Sequence, residues 1–326
     1  AVMPTGAGRA VLFTDILSEH VGAAGAIAHR QELVAQISLT LNTFGIRHRL
    51  ICPPAVRKLI IARHLREHKV TFHDAGAMIG VGGVDTIVRM GNKPELDTWR
   101  RSVTLGVQDE AHHVLAENKW GKATLEFPAC KKWLFVTATP ERPDGRGLGR
   151  HADGLADHLV VGPGMRELID DGYLCPYTVW TIPHQVDYSQ ITVGASGEYV
   201  HAKLVAAEDC DKKLVGNIVD TYKRRVPGKR AICFMSSVAK AEETAQAFRD
   251  AGVPSVAVDG TSHPDDRVKA TEDLASGKIL VLVNCDLVGE GVDVPAVEVV
   301  IVGVRTASFI RVTHWWRRLP RPSVPD

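Results

Sequence analysis

Asp109 and Glu110 stand side by side, followed by Ala111 and His112 and preceded by the apolar run Val103-Thr104-Leu105-Gly106-Val107. A short continuous run of this kind predicts a strand buried on both faces, so the two carboxylates would emerge at its C-terminal end. Open parallel sheets place their ligands there. In nucleotide hydrolases an Asp so placed holds Mg²⁺, and a neighbouring Glu orients and deprotonates the attacking water. An acidic pair capping the next helix would look the same in isolation.

A second set of residues lies near the beginning of the chain. Pro4-Thr5-Gly6-Ala7-Gly8-Arg9-Ala10 precedes the helix-like Val11-Leu12-Phe13-Thr14-Asp15-Ile16-Leu17. Glycine-rich backbone ahead of a helix directs its N–H groups at phosphates, and such loops continue with Lys and then Ser or Thr. Here Gly6, Ala7 and Gly8 fit, but Arg9 stands in the lysine position and Ala10 in the hydroxyl position. Ala10 removes a Mg²⁺ ligand, and the broad Arg9 guanidinium differs in shape from an ammonium. A plain glycine turn before a helix is the other reading of this stretch taken alone.

Both sets need a scaffold, and the rest of the chain predicts an α/β one. Aliphatic runs at Ala24 to Ala28, Val103 to Val107, Trp133 to Val136, Ala231 to Met235, Ile279 to Val283 and Val297 to Val304 read as buried parallel strands. Leu33, Ile37 and Leu41, and later Ala241, Ala245 and Phe248, mark the apolar faces of intervening helices. Between about 140 and 215 this rhythm gives way to a glycine-rich and then polar stretch, which puts the expected boundary near 172. Two domains, 1–172 and 173–326, suit a length of 326 residues.

Composition narrows the class. A content of 45% hydrophobic and 24% charged residues is that of a well-packed globular chain and excludes disorder as the main reading. The run Val297 to Val304 is less than half of the ~20 apolar residues a membrane span needs, so no membrane partner is expected. A net charge of +1 gives no global sign of a polyanionic partner. Six cysteines without any C-x-x-C spacing fit a reducing, cytoplasmic setting.

Taken in order, Thr5-Gly6-Ala7-Gly8, Ala28-His29-Arg30-Gln31-Glu32-Leu33, Asp109-Glu110-Ala111-His112, Thr137-Ala138-Thr139-Pro140, Gly289-Glu290-Gly291-Val292-Asp293-Val294-Pro295 and the Arg318/Arg321 pair follow a known motif series. The chain resembles superfamily 2 helicases of DEAD/DEAH type, and among them the RadD-like and phage-encoded DNA helicases. The resemblance runs from residue 3 to residue 322. It implies two RecA-like lobes, each a mainly parallel sheet flanked by helices, that bind ATP and Mg²⁺. Gly6, Ala7, Gly8, Arg9 and Ala10 would surround the triphosphate, with Gly291 and Asp293 facing it from the second lobe. Asp109 would hold Mg²⁺, Glu110 would activate water, and Thr137 and Thr139 would couple nucleotide state to lobe closure. Arg321 would be the arginine finger, with Arg318 beside it. The last motif departs from the family's Gln-x-x-Gly-Arg-x-x-Arg pattern, reading His314-Trp315-Trp316-Arg317-Arg318-Leu319-Pro320-Arg321.

The same resemblance implies nucleic-acid contacts from Arg30, Thr86 and Arg89 in the first lobe and from Ser236 and Asn284 in the second. Independently, seven basic residues (Arg47, Arg49, Arg57, Lys58, Arg63, Arg66, Lys69) face a single acid, Glu67, between residues 47 and 69. A helix there with Val56, Leu59 and Ile60 on its inner face would leave cations for solvent or for phosphates. His112 and His113 lack the further spaced ligands of a metal site, so a contact between lobes is expected of them. The function so implied is an ATP-dependent DNA helicase or translocase, acting as a monomer on single-stranded or forked DNA, with RNA as the other candidate. The alternative is a hydrolysis-defective relative that keeps nucleic-acid binding but has lost turnover through Arg9 and Ala10.

Overall fold

The computed structural model describes residues 1–4, 6–89, 94–140, 142, 146–181, 191–192, 194, 199–209, 213–285 and 296–305. It divides into two compact units, Ala1–Met165 and Arg166–Asp326.

In the first unit the chain runs α1 (Arg9–Glu19), β1 (Ala23–Ala28), α2 (Gln31–Thr43), β2 (His48–Ile51), α3 (Pro54–His68), β3 (Ile79–Gly83), α4 (Val84–Val88), α5 (Pro94–Ser102), β4 (Val103–Asp109), α6 (Lys119–Leu125) and β5 (Lys132–Val136). Its sheet has the order β2-β3-β1-β4-β5, and every pairing is parallel. The first residues extend this sheet. Thr137 N donates to Ala1 O at 3.1 Å and Met3 N to Thr137 O at 3.1 Å, while Val2 N donates to Val160 O at 2.8 Å. The chain therefore leaves the sheet edge beside Thr137 and enters the glycine loop directly.

One face of the sheet is covered by α1 and α2 through Phe13, Leu17, Val34, Ile37 and Leu41. The other face carries Trp99, Phe127 and Trp133. Room for these rings comes from Gly25, Gly80 and Gly106, which are register partners on β1, β3 and β4. A Cβ on Gly80 would lie 2.2 Å from the Trp99 ring, and one on Gly106 would lie 2.4 Å from the Trp133 ring. The glycines form a trough because the tryptophans occupy it.

The second unit runs α8 (His201–Asp209), α9 (Leu214–Arg225), β6 (Ala231–Phe234), α10 (Val238–Asp250), β7 (Ser255–Val258), α11 (Pro264–Ser276), β8 (Val281–Asn284) and β9 (Val299–Val302), after α7 (Met165–Asp170). Its four strands are again all parallel, ordered β7-β8-β6-β9. Ile218, Tyr222, Ala241, Ala245 and Phe248 pack on one face. Leu274 packs with Ile232, Phe234 and Leu282 on the other.

The α/β expectation therefore holds, with six anticipated strands found and three not anticipated: β2, β3 and β7. β2 and β3 hide from hydrophobic pattern for physical reasons. The β2 sequence His48-Arg49-Leu50-Ile51 is half polar yet buried throughout, and β3 owes its glycines to Trp99. The helix between residues 54 and 68 also turns differently from the expectation. Val56, Ile60 and His64 face inward, whereas Leu59 is 71% exposed.

Candidate functional site

The glycine loop is shaped by two left-handed residues, Gly6 at φ 84° and Gly8 at φ 82°. Side chains resist this region, so the loop's conformation depends on these residue types. Gly8 caps α1, whose first turn carries no acidic side chain, so the helix itself presents its positive end toward the loop. Thr5 lies outside the described residues.

β4 brings Asp109 and Glu110 to the same end of the sheet. Glu110 adopts φ 53° and ψ 50°, a left-handed conformation that costs a residue with a side chain roughly 1–2 kcal/mol. Its backbone N–H donates to Asp109 Oδ1 at 2.9 Å. Arg9 reaches both carboxylates: Nη1 donates to Asp109 Oδ1 at 3.3 Å, and Nη2 lies 3.6 Å from Glu110 Oε1. The side chains of Arg9, Asp109 and Glu110 are only 12%, 12% and 2% exposed, so this ion triad is largely shielded from solvent. Screening is correspondingly weak.

Behind the carboxylates lies a buried polar junction. Thr137 and Thr139 are 1% and 0% exposed, and His112 is 2% exposed. Thr137 Oγ1 donates to Thr139 O at 3.0 Å and accepts from Thr139 N at 3.1 Å. With the Thr137 hydrogen so placed, the 3.1 Å contact from His112 Nδ1 requires that nitrogen to donate. The same Nδ1 lies 3.2 Å from Thr139 Oγ1 and 3.6 Å from Glu110 Oε2. The His112 ring is buried, and its Nδ1 stands within 3.6 Å of Glu110 and of both threonine hydroxyls.

These residues fit a phosphate chain and do not, as arranged, form a divalent-cation site. The loop, the helix terminus and Arg9 supply donors and positive charge to an anion. Asp109, however, holds the Arg9 guanidinium, and Ala10 offers no hydroxyl. Among the described residues no group of three or more His, Cys, Asp or Glu is placed to hold a metal ion.

A surface arrangement adjoins the carboxylates. In register, Ala28 of β1 pairs with Gly83 of β3, and Ile27 pairs with Gln108 of β4. The segments leaving β1, β3 and β4 therefore line one edge of the sheet. Arg30 leaves β1 exposed as the N-cap of α2, and Thr86 and Arg89 follow β3, half-buried and exposed respectively. His29, which carried no assignment by sequence, and His113, expected only at a contact between lobes, form a ring cluster with His112. Their ring centroids are 5.3 Å apart, and His113 lies 4.1 Å from His112 and stacks on Trp120 at 5.2 Å. Adjacency to Arg30 and to His112 was the available signal.

The other anticipated positions lie as follows. Ser236 and Asn284 of the second unit are 3% and 0% exposed, and Asn284 Nδ2 donates to Cys233 O at 3.2 Å, a bond between adjacent strands. Arg49 is withdrawn from the basic segment: it is 9% exposed, donates from Nε to Ala77 O at 2.7 Å and lies 5.1 Å from the Trp99 ring centroid. Arg47, Lys58, Arg66 and Lys69 remain exposed. Gly291, Asp293, Arg318 and Arg321 lie outside the described residues.

Residues 1–142 match the family described as type III restriction enzyme, res subunit, and residues 212–314 match the helicase conserved C-terminal domain. Among curated proteins, a 51.5 kDa protein of Lactococcus phage (isolate 7-9) is 28% identical across 94% of this chain. The putative ATP-dependent helicase IRC3 of Saccharomyces cerevisiae is 24% identical, also across 94%. The chain spans 59% and 44% of the lengths of these two relatives. Among solved structures, the Pyrococcus furiosus Hef helicase domain aligns over 98% of this chain and 90% of its own, with a TM-score of 0.52 and 14% identity. That likeness is one of fold. Among the described residues no helix is long and apolar enough to cross a membrane.

Proposed function

Since the chain belongs to the superfamily 2 helicases, we propose that it uses ATP to move along nucleic acid, with single-stranded or forked DNA as its track in preference to RNA. The observation that carries this reading is the convergence of the Gly6–Gly8 loop, Asp109, Glu110 and the Thr137–Thr139 pair at one end of a parallel sheet, with Arg30 and Arg89 on the adjoining edge. On this reading the backbone of Gly6, Ala7 and Gly8 and the start of α1 hold the phosphates. Glu110 is the proton acceptor for the attacking water, with the buried His112, Thr137 and Thr139 beside its carboxylate at the end of β5. Arg30, Thr86 and Arg89 meet the strand through its backbone, which gives affinity with little sequence preference. The family's chemistry ordinarily uses magnesium; in this chain Asp109 holds the Arg9 guanidinium at the position where such an ion would be expected.

A second reading is favoured by one specific observation. Arg9 already engages both carboxylates, and Ala10 lacks the hydroxyl, so the chain is suited to binding nucleic acid without turnover. DNA-stimulated ATPase turnover, measured beside an Arg9→Lys/Ala10→Thr variant, separates the two. Turnover by the unaltered chain supports the motor. Turnover by the variant alone assigns this chain to the non-hydrolysing reading. Competition between single-stranded DNA and RNA of one sequence tests the preferred track, and equal competition would refute the DNA preference.

A further inference from the structure

We infer that Arg9 is the resident cation of the nucleotide site, so that this chain binds a nucleoside triphosphate without a divalent ion. The inference rests on the nucleotide-site reading above and specifies what neutralises the phosphates there.

Asp109 and Glu110 bring two negative charges into a region where their side chains are 12% and 2% exposed. Such a pair needs a cation, because desolvated carboxylates without one are costly. Arg9 provides it from the first turn of α1, with Nη1 at 3.3 Å from one carboxylate and Nη2 at 3.6 Å from the other. A divalent ion brought to Asp109 would therefore meet a fixed positive charge in the same few ångströms, and like charges at that distance repel strongly where solvent is excluded. It would also lack the hydroxyl ligand, since position 10 is Ala.

The guanidinium can act toward both sides. It carries five N–H donors in a planar fork that suits phosphate oxygens as well as carboxylates, whereas an ammonium is a single compact charge. Only one of those donors makes the hydrogen bond to Asp109. Among the described residues nothing lies within 4 Å of where a Cβ would stand on Gly8, which precedes Arg9, so on that side they leave the helix terminus open. A phosphate chain entering over the loop would thus find its counter-charge already in place, tethered to the protein.

The test is a titration of the full chain with a fluorescent ATP analogue, run once in excess magnesium and once in excess EDTA. For the unaltered chain the dissociation constant should change by less than about threefold between the two, whereas Arg9→Lys/Ala10→Thr should weaken at least about tenfold in EDTA. Ala10→Thr alone should behave as the unaltered chain does, because Arg9 remains. Binding by the unaltered chain that survives only with magnesium overturns the inference while leaving the nucleotide site standing. Restored metal dependence in Ala10→Thr overturns the assignment to Arg9. Absence of binding in both buffers overturns the nucleotide-site reading, and the inference with it.

Discussion

Lowering the pH from 7 to 5 should destabilise the first unit through two histidines remote from the candidate nucleotide site. His48 and His64 are both 0% exposed, and a single hydroxyl, Ser38 Oγ, lies 2.6 Å from His48 Nε2 and 3.1 Å from His64 Nε2. The proton order is determined by the outer partners. His48 Nδ1 contacts Ile46 O at 2.8 Å and must donate, so its Nε2 accepts from Ser38. Ser38 Oγ then accepts from His64 Nε2, and His64 Nδ1 accepts from Thr71 Oγ1 at 3.1 Å. This chain of bonds works only with neutral rings. Burial pushes both pKa values down to about 4, helped at His48 by His73 and at His64 by His48, His68, His73 and Arg63. A group held neutral in the folded state and titrating near 6.5 when unfolded leaves stability intact above 6.5 and erodes it as pH falls toward 4. By pH 5 the loss is about 2 kcal/mol per histidine, a large part of a typical domain's stability. Urea unfolding followed by tryptophan fluorescence at several pH values between 5 and 6.5 reads this directly. His64→Gln should reduce the pH slope of the unfolding free energy by close to one proton, roughly 1.4 kcal/mol per pH unit, whatever it does to absolute stability. An unchanged slope would refute the argument.

Three further outcomes are expected. In whichever form turns over, Glu110→Gln should lower ATP turnover at least about 100-fold while nucleic-acid affinity stays unchanged; undiminished hydrolysis would remove Glu110 from its assigned role. Gly80→Ala places a Cβ 2.2 Å from Trp99, a ring fixed by its Nε1 donating to Met78 O at 2.7 Å. Overpacking of that severity should cost the first unit about 2 kcal/mol or more in denaturant unfolding, and a loss below about 0.5 kcal/mol would mean that the trough yields. Arg30→Ala should weaken binding to single strands of any sequence and reduce the salt slope by about one, so an unaltered slope would exclude Arg30 from phosphate contact.

Legibility in the sequence followed the physics of each element. Strands such as Ala231–Phe234 and Val281–Asn284 are buried on both faces by aliphatic side chains, so their composition identifies them. β2 and β3 do not announce themselves, because their residues answer to particular tertiary neighbours. His48 is buried against Ser38, Arg49 lies against Trp99, and Gly80 makes way for the same ring. The same division holds at the site. Gly6, Gly8, Asp109 and Glu110 are recognisable because their chemistry is fixed by type and spacing. His29 and His113 are not, because a tilted ring contact between segments 84 positions apart leaves no local signature.

Arg9 and Ala10 show what the geometry adds to that division. Read along the chain, they are two separate departures from a phosphate-loop pattern, each a loss. In three dimensions they become one arrangement. An arginine that reaches both Asp109 and Glu110 places a permanent charge beside the carboxylates, and a hydroxyl whose purpose is to help hold a divalent ion there then has no ion to hold. Replacing Ala10 alone should therefore change little, whereas replacing Arg9 removes the guanidinium that stands beside both carboxylates and opens that position to a metal. The order of those two effects, rather than the size of either, distinguishes a rebuilt site from a decayed one.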